Sequence, residues 1–135
     1  MGRQDYQWQH EPCLYGWKPG AGHFWNSDRK QTTVWNFDKP QRNAIHPTMK
    51  PIALMAYPIC NSSAPGQIVV DFFSGSGSTL MACQQTDRIC HAIEIDPRYV
   101  SATVSRYRAM FPEQVIRLIR GEELMTAEET LKLIV

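Results

Sequence analysis

Long apolar runs are missing from this 135-residue chain, and its amino-terminal stretch lacks the pattern of a signal peptide. Their absence speaks against a helical membrane span, and a cytoplasmic protein is the expectation. An excess of one charge sign is missing too: 14 Lys and Arg stand against 13 Asp and Glu. That balance gives no global argument for a nucleic-acid partner, and none against a local basic patch. Cys13, Cys60, Cys83 and Cys90 show no Cys-x-x-Cys spacing, and His10, His23, His46 and His91 are scattered. Without ligand spacing the reading is reduced thiols and no metal.

What the chain does have is ordered along its length. Its size suits one domain with a single core, and is small for a complete nucleotide-dependent enzyme. We divide that domain into an aromatic strand and loop region at 1–45, a binding core at 46–110 and an extension at 111–135. In the first region Gln4–Trp8, Cys13–Trp17 and Thr32–Asn36 read as short strands, and Lys18-Pro19-Gly20-Ala21-Gly22 is a turn. Thr48 is placed to cap a helix through Ile52, Leu54 and Met55, which Pro58 should kink or stop early.

The core then follows a βαβ pattern. A strand is expected at Ile68–Asp71, a helix at about Ser78–Thr86, a strand at Cys90–Ile95 and a helix at about Pro97–Met110. Val115–Ile119 reads as a final strand, and Thr126-Ala127-Glu128-Glu129 as a capping box before a weak terminal helix. The fold class is therefore α/β, a parallel sheet with helices on its faces.

Two carboxylates, Asp71 and Glu94, end the two apolar runs about twenty residues apart, and a glycine-rich turn follows the first. Open α/β sheets bind nucleoside cofactors at this end of neighbouring parallel strands. Leu80 stands where a dinucleotide fingerprint has its third glycine, and no Gly-Lys-Ser/Thr places a lysine on a triphosphate. The helix from Ser78 points N–H groups at the turn, favouring an anionic group such as a carboxylate. Glu94 can accept hydrogen bonds from both hydroxyls of a ribose. A ribose ligand bearing a carboxylate and no phosphate fits S-adenosylmethionine better than NAD or ATP. The competing reading, a turn that merely joins strand to helix, leaves the placing of Glu94 and of His46–Pro51 unexplained.

His46-Pro47-Thr48-Met49-Lys50-Pro51, Asp71-Phe72-Phe73-Ser74-Gly75-Ser76-Gly77-Ser78-Thr79 and Ile93-Glu94-Ile95-Asp96-Pro97 occur here in one order. Together they resemble the DNA methyltransferases that modify the exocyclic nitrogen of adenine or cytosine, in the subgroup with the catalytic half first. Gln9-His10-Glu11-Pro12-Cys13-Leu14-Tyr15-Gly16-Trp17-Lys18 is similar to a hairpin preceding those motifs in the family. The resemblance covers about residues 5–110 and implies a Rossmann-like methyltransferase sheet. It implies that Asp71, Phe73, Ser74, Gly75, Gly77 and Glu94 bind S-adenosyl-L-methionine, with Thr48 and Lys50 near its methionine carboxylate. It places His10 and Tyr15 at the target-base pocket, makes double-stranded DNA the substrate and points to a bacterial or phage source. Adenine N6 is the expected acceptor ahead of cytosine N4.

Two departures from the family stand out. Phe72 occupies a position where the family usually has proline. The family's catalytic Asp/Asn/Ser-Pro-Pro-Tyr/Trp segment has no counterpart, because no Pro-Pro pair occurs in the chain. In the family that segment accepts hydrogen bonds from the target amino group and stacks on the flipped base. The expectation is a partial sheet lacking the strand that carries the motif, a chain catalytically incomplete alone, and no assigned catalytic residue. Removing that strand would expose an apolar sheet edge, which invites self-association or pairing with a separate catalytic segment. The alternative is a non-catalytic remnant that binds the cofactor or a partner chain without modifying DNA.

Other candidates are plainer. Trp8, Trp17, Trp25 and Trp35, interleaved with Lys18, Arg29, Lys30, Lys39 and Arg42, form either a stacking and phosphate-contacting surface or a small aromatic core. Arg98, Arg106, Arg108, Arg117 and Arg120 read as a solvated helix face and edge. Cys83 and Cys90 read as buried small apolar residues.

Overall fold

A computed structural model of the chain describes residues 5–38 and 49–125. The expected βαβ unit is there. β1 (Ile68–Asp71) pairs in parallel with β2 (Ile89–Ala92), in register from Ile68 opposite Ile89 to Asp71 opposite Ala92. Between them runs α2 (Ser78–Gln85), and before β1 lies α1 (Ile52–Ser62). After β2 come α3 (Pro97–Met110) and a minimal hairpin of β3 (Ile119–Arg120) and β4 (Glu123–Leu124).

Local chemistry accounts for the element ends. Pro97 opens α3 at a position whose N–H needs no partner, and Asp96 caps it by accepting from the Arg98 N–H at 2.9 Å. α2 closes on the Cys83 carbonyl, which accepts from the Thr86 and Arg88 N–H groups, with Asp87 in the left-handed region at φ 59°. That reversal feeds directly into β2. α1 runs through Pro58 to Ser62 instead of stopping early, because Ile59 and Asn61 beyond the proline are buried. The burial beyond it outweighs the one helical hydrogen bond that proline removes.

The core lies on one face of the small sheet. Ile59 from α1 and Ala82 and Cys83 from α2 form its centre, with Ile52, Met55, Ala56, Val69 and Cys90 packed around them. Strand alternation puts Val69 inward, while Ile68 is 59% and Val70 52% exposed on the opposite face. Among the described residues β1 is hydrogen-bonded to β2 alone, so its other edge is open.

Several expected elements differ. No strand forms among residues 5–38. A strand requires a neighbouring ladder, and this segment instead bonds elsewhere: the Asn26 N–H donates to the Asn61 carbonyl at 2.7 Å. The Asn26 amide also reaches the Cys60 carbonyl, and Trp35 and Phe37 set their rings edge-on against Tyr57 of α1. β2 stops at Ala92, short of Ile95, because the chain turns into the loop that presents Glu94. Where one strand is expected at Val115–Ile119, β3 spans only Ile119–Arg120 and β4 follows it, since Gly121 at φ 64° reverses the chain there and pairs Arg120 with Glu123. The capping box at 126–129 lies outside the described residues. No helix among the described residues is long and apolar enough to cross a membrane.

Candidate functional site

The glycine-rich turn links β1 to α2, and hydrogen bonds hold most of its backbone in place. The Asp71 carboxylate accepts from the Phe73 N–H at 2.9 Å, closing a local turn at the end of β1. The Ser74 N–H donates to the Ile93 carbonyl at 3.0 Å, tying the turn to the segment after β2. Gly75 at φ 53° and Gly77 at φ 76° take left-handed conformations that side chains resist. At Gly77 a Cβ would also lie 2.5 Å from Thr103 Cγ2, so glycine is required twice over.

Glu94 faces this turn from the neighbouring loop. Its Oε2 accepts from the Gly75 N–H at 2.7 Å and its Oε1 from the Asp96 N–H at 2.9 Å. The backbone N–H groups of Asp96 and Gly75 hold the Glu94 carboxyl below its ordinary range. The group is thus an ionised acceptor at neutral pH, and each oxygen retains lone-pair capacity for a further donor. Phe73 sits between the two carboxylates in the chain and is 91% exposed, an apolar residue beside the turn. The ring of Phe72 is exposed as well.

Lys50 belongs to the same neighbourhood through its backbone: its carbonyl accepts from the Ser78 hydroxyl at 2.7 Å, at the first residue of α2. Its ammonium forms an ion pair with Glu11. This exposed bond ties Glu11 of the 9–18 segment to Lys50, two residues ahead of α1. Thr48 lies outside the described residues.

Sequence reasoning missed the support behind the turn. Thr103 is buried and donates its hydroxyl to the Gly75 carbonyl at 3.0 Å. Arg106 donates from Nη1 to the Ser76 carbonyl at 3.0 Å and reaches Ser78 Oγ at 3.2 Å. Arg106 therefore does not belong to a solvated face; burial pushes its guanidinium below its ordinary value. The readable signal was the i, i+3 spacing that puts Thr103 and Arg106 on one side of α3.

Tyr15 and His10, the residues expected at the target-base pocket, sit in different aromatic groups. Tyr15 shares a hydrogen bond of 2.7 Å with His23 Nε2, and His23 stacks on Trp17 at 4.5 Å between ring centroids. Trp25 completes that exposed group, edge-on to Tyr15. His10 stacks on Trp8. Cys83 is buried, and burial pushes the Cys90 thiol up to about 12, so both remain protonated thiols. Among the described residues no group of three or more His, Cys, Asp or Glu could hold a metal ion.

Comparisons with known proteins bear on this arrangement. The family model described as N6_N4_Mtase, DNA methylase, matches residues 4–105. The chain is 38% identical over 78 residues to the type II methyltransferase M.Cfr9I of Citrobacter freundii, covering 58% of this chain and 26% of that protein. It is 35% identical over 78 residues to the type II methyltransferase M.SmaI of Serratia marcescens, covering 58% and 27%. Against M2.MboI of Moraxella bovis it is 31% identical over 93 residues, covering 64% and 33%. The chain thus spans about a quarter to a third of the length of these curated relatives. Among solved structures, the M1.HpyAVI–SAM complex superposes with a TM-score of 0.52 at 29% identity, over 61% of this chain and 42% of that one. With the family match running through turn, Glu94 and most of α3, the chain belongs to the DNA methylase family.

Proposed function

We propose that this chain is the S-adenosylmethionine-binding portion of a site-specific DNA methyltransferase. One observation carries the reading: the Glu94 carboxylate and the Gly75 N–H of the glycine turn are in direct hydrogen bond. A carboxylate that accepts from hydroxyls and a turn that offers backbone N–H groups therefore adjoin, as a ribose-containing carboxylate ligand requires. Asp71, Phe73, Ser74, Gly75, Gly77 and Glu94 hold this ligand, with Lys50 and Thr48 toward its carboxylate. The solved relative in complex with SAM supports the same choice.

When bound, the cofactor supplies an electrophilic methyl group. The chain's own part is to hold and orient it, with Phe73 as an apolar face and Glu94 as the ribose acceptor. The acceptor is an exocyclic amino nitrogen in double-stranded DNA, adenine N6 in the first reading and cytosine N4 in the second. Tyr15 and His10 line the side where the base enters. Because no Pro-Pro pair occurs in these residues, the group that orients the amino nitrogen belongs to a separate segment. The open edge of β1 and the exposed Ile68 and Val70 are where the strand of that segment, or a second copy of the chain, would pair. Incubating the chain with tritiated S-adenosylmethionine and DNA tests this: label should enter DNA only when an Asp-Pro-Pro-Tyr-bearing segment is added. Nucleoside analysis of the product then decides between adenine and cytosine. Methylation by the chain alone would overturn the incompleteness. Cofactor binding with no methylation in either case would favour the non-catalytic reading.

A further inference from the structure

The support that α3 gives the glycine turn is more directed than packing requires. Thr103 and Arg106 bind consecutive carbonyls, those of Gly75 and Ser76, at 3.0 Å each. A peptide unit is planar and trans, so its C=O and the following N–H point in opposite directions. Drawing the Gly75 carbonyl onto α3 therefore aims the Ser76 N–H at the opposite side. The next N–H, on Gly77, is used within the turn on the Ser74 carbonyl at 2.9 Å.

Arg106 adds a charge to this geometry. It makes no ion pair among the described residues, yet it is half-buried behind the first turn of α2, where no side chain caps the helix. Among the described residues no carboxylate offsets this guanidinium, so its charge adds to the positive end of the helix. Arg106 also contacts Ser78 Oγ, and Ser78 donates to the Lys50 carbonyl, so one chain of contacts links α3 to the Lys50-Pro51 segment.

We propose that Thr103 and Arg106 are positioning residues that orient the peptides of the turn and select for the carboxylate end of its ligand. Neither touches the reacting atoms. Thr103 fixes the direction of an N–H, and Arg106 fixes a second peptide and biases the turn toward an anion. This inference rests on the proposed cofactor reading, so its test must separate the two.

Two ligands sharing a nucleoside make that separation: S-adenosylhomocysteine carries the amino-acid carboxylate, and methylthioadenosine lacks it. Binding of each to the full 135-residue chain is measured by calorimetry, with melting temperature as the folding control. Arg106→Gln should weaken S-adenosylhomocysteine about tenfold and leave methylthioadenosine nearly unchanged. Arg106→Lys should recover part of the loss. Thr103→Val, which keeps the shape and removes the hydroxyl, should give a smaller loss of the same selectivity and serves if Arg106→Gln fails to fold. Equal loss of both ligands in these variants, or no loss of either, overturns the proposal by reducing Thr103 and Arg106 to packing. Glu94→Ala is measured in parallel and should weaken both ligands. If Glu94→Ala changes neither, the cofactor reading itself fails, whatever the Arg106 variants show.

Discussion

The Gly75 N–H and the Glu94 carboxylate meet at 2.7 Å across a sequence separation of 19 residues. That bond joins the turn after β1 to the loop after β2, and it makes Glu94 both a structural acceptor and a candidate ligand group. Its protonation should therefore be felt in stability.

Glu94 is held below its ordinary range by the Asp96 and Gly75 N–H groups. A depressed folded-state value means stability that is fully present above the unfolded value and lost as pH falls through the folded one. Melting temperature recorded from about pH 6 down to about pH 3 should fall more steeply for the parent than for Glu94→Gln. Asp96, lowered by its bonds to Arg98, gives a loss of the same sign that persists in the variant.

Gly77→Ala should be the costliest single change in the turn. It combines a left-handed φ of 76° with a Cβ 2.5 Å from Thr103 Cγ2, for about 2–4 kcal/mol in denaturant unfolding. Gly66→Ala, with φ 79° and no atom near its Cβ, should show only the backbone part, about 1–2 kcal/mol. Equal losses at the two positions would mean that the close approach of α3 has no energetic weight.

Asp87 is the one described non-glycine residue with positive φ, at 59°. Replacing it by glycine removes the Cβ penalty and keeps the Gly66 N–H bonded to the residue 87 carbonyl. Asp87→Gly should stabilise the chain by about 0.5–1 kcal/mol, read as a higher denaturation midpoint with unchanged slope.

The βαβ unit was legible from the sequence because Ile68-Val69-Val70-Asp71 and the spacing of Glu94 encode local geometry directly. Even the α3 boundaries follow from Asp96-Pro97 and the helical spacing behind it. The strands expected among residues 5–38 do not form, since their aromatic composition favours burial without specifying a ladder partner. Arg106 was misread for a related reason: charge alone marks a solvated face, and only the packing of α3 behind the turn shows the carbonyls it serves.

Tyr15, Trp17, His23 and Trp25 form an exposed ring group that contributes little to the core. Trp17→Ala and Tyr15→Ala should leave the melting temperature nearly unchanged. Each should weaken binding to a duplex carrying a mismatched target base by about 1–3 kcal/mol, the range for loss of one stacking partner. Fluorescence anisotropy on labelled DNA reads this directly. A fall in melting temperature without a change in DNA affinity would assign the group to packing.

Calorimetry of the 135-residue chain with S-adenosylmethionine, run beside Glu94→Ala, bears most directly on the cofactor assignment. The expected result is one-to-one binding by the parent and an affinity lower by about tenfold or more in the variant. No binding by the folded parent, or an affinity that Glu94→Ala leaves unchanged, would contradict it.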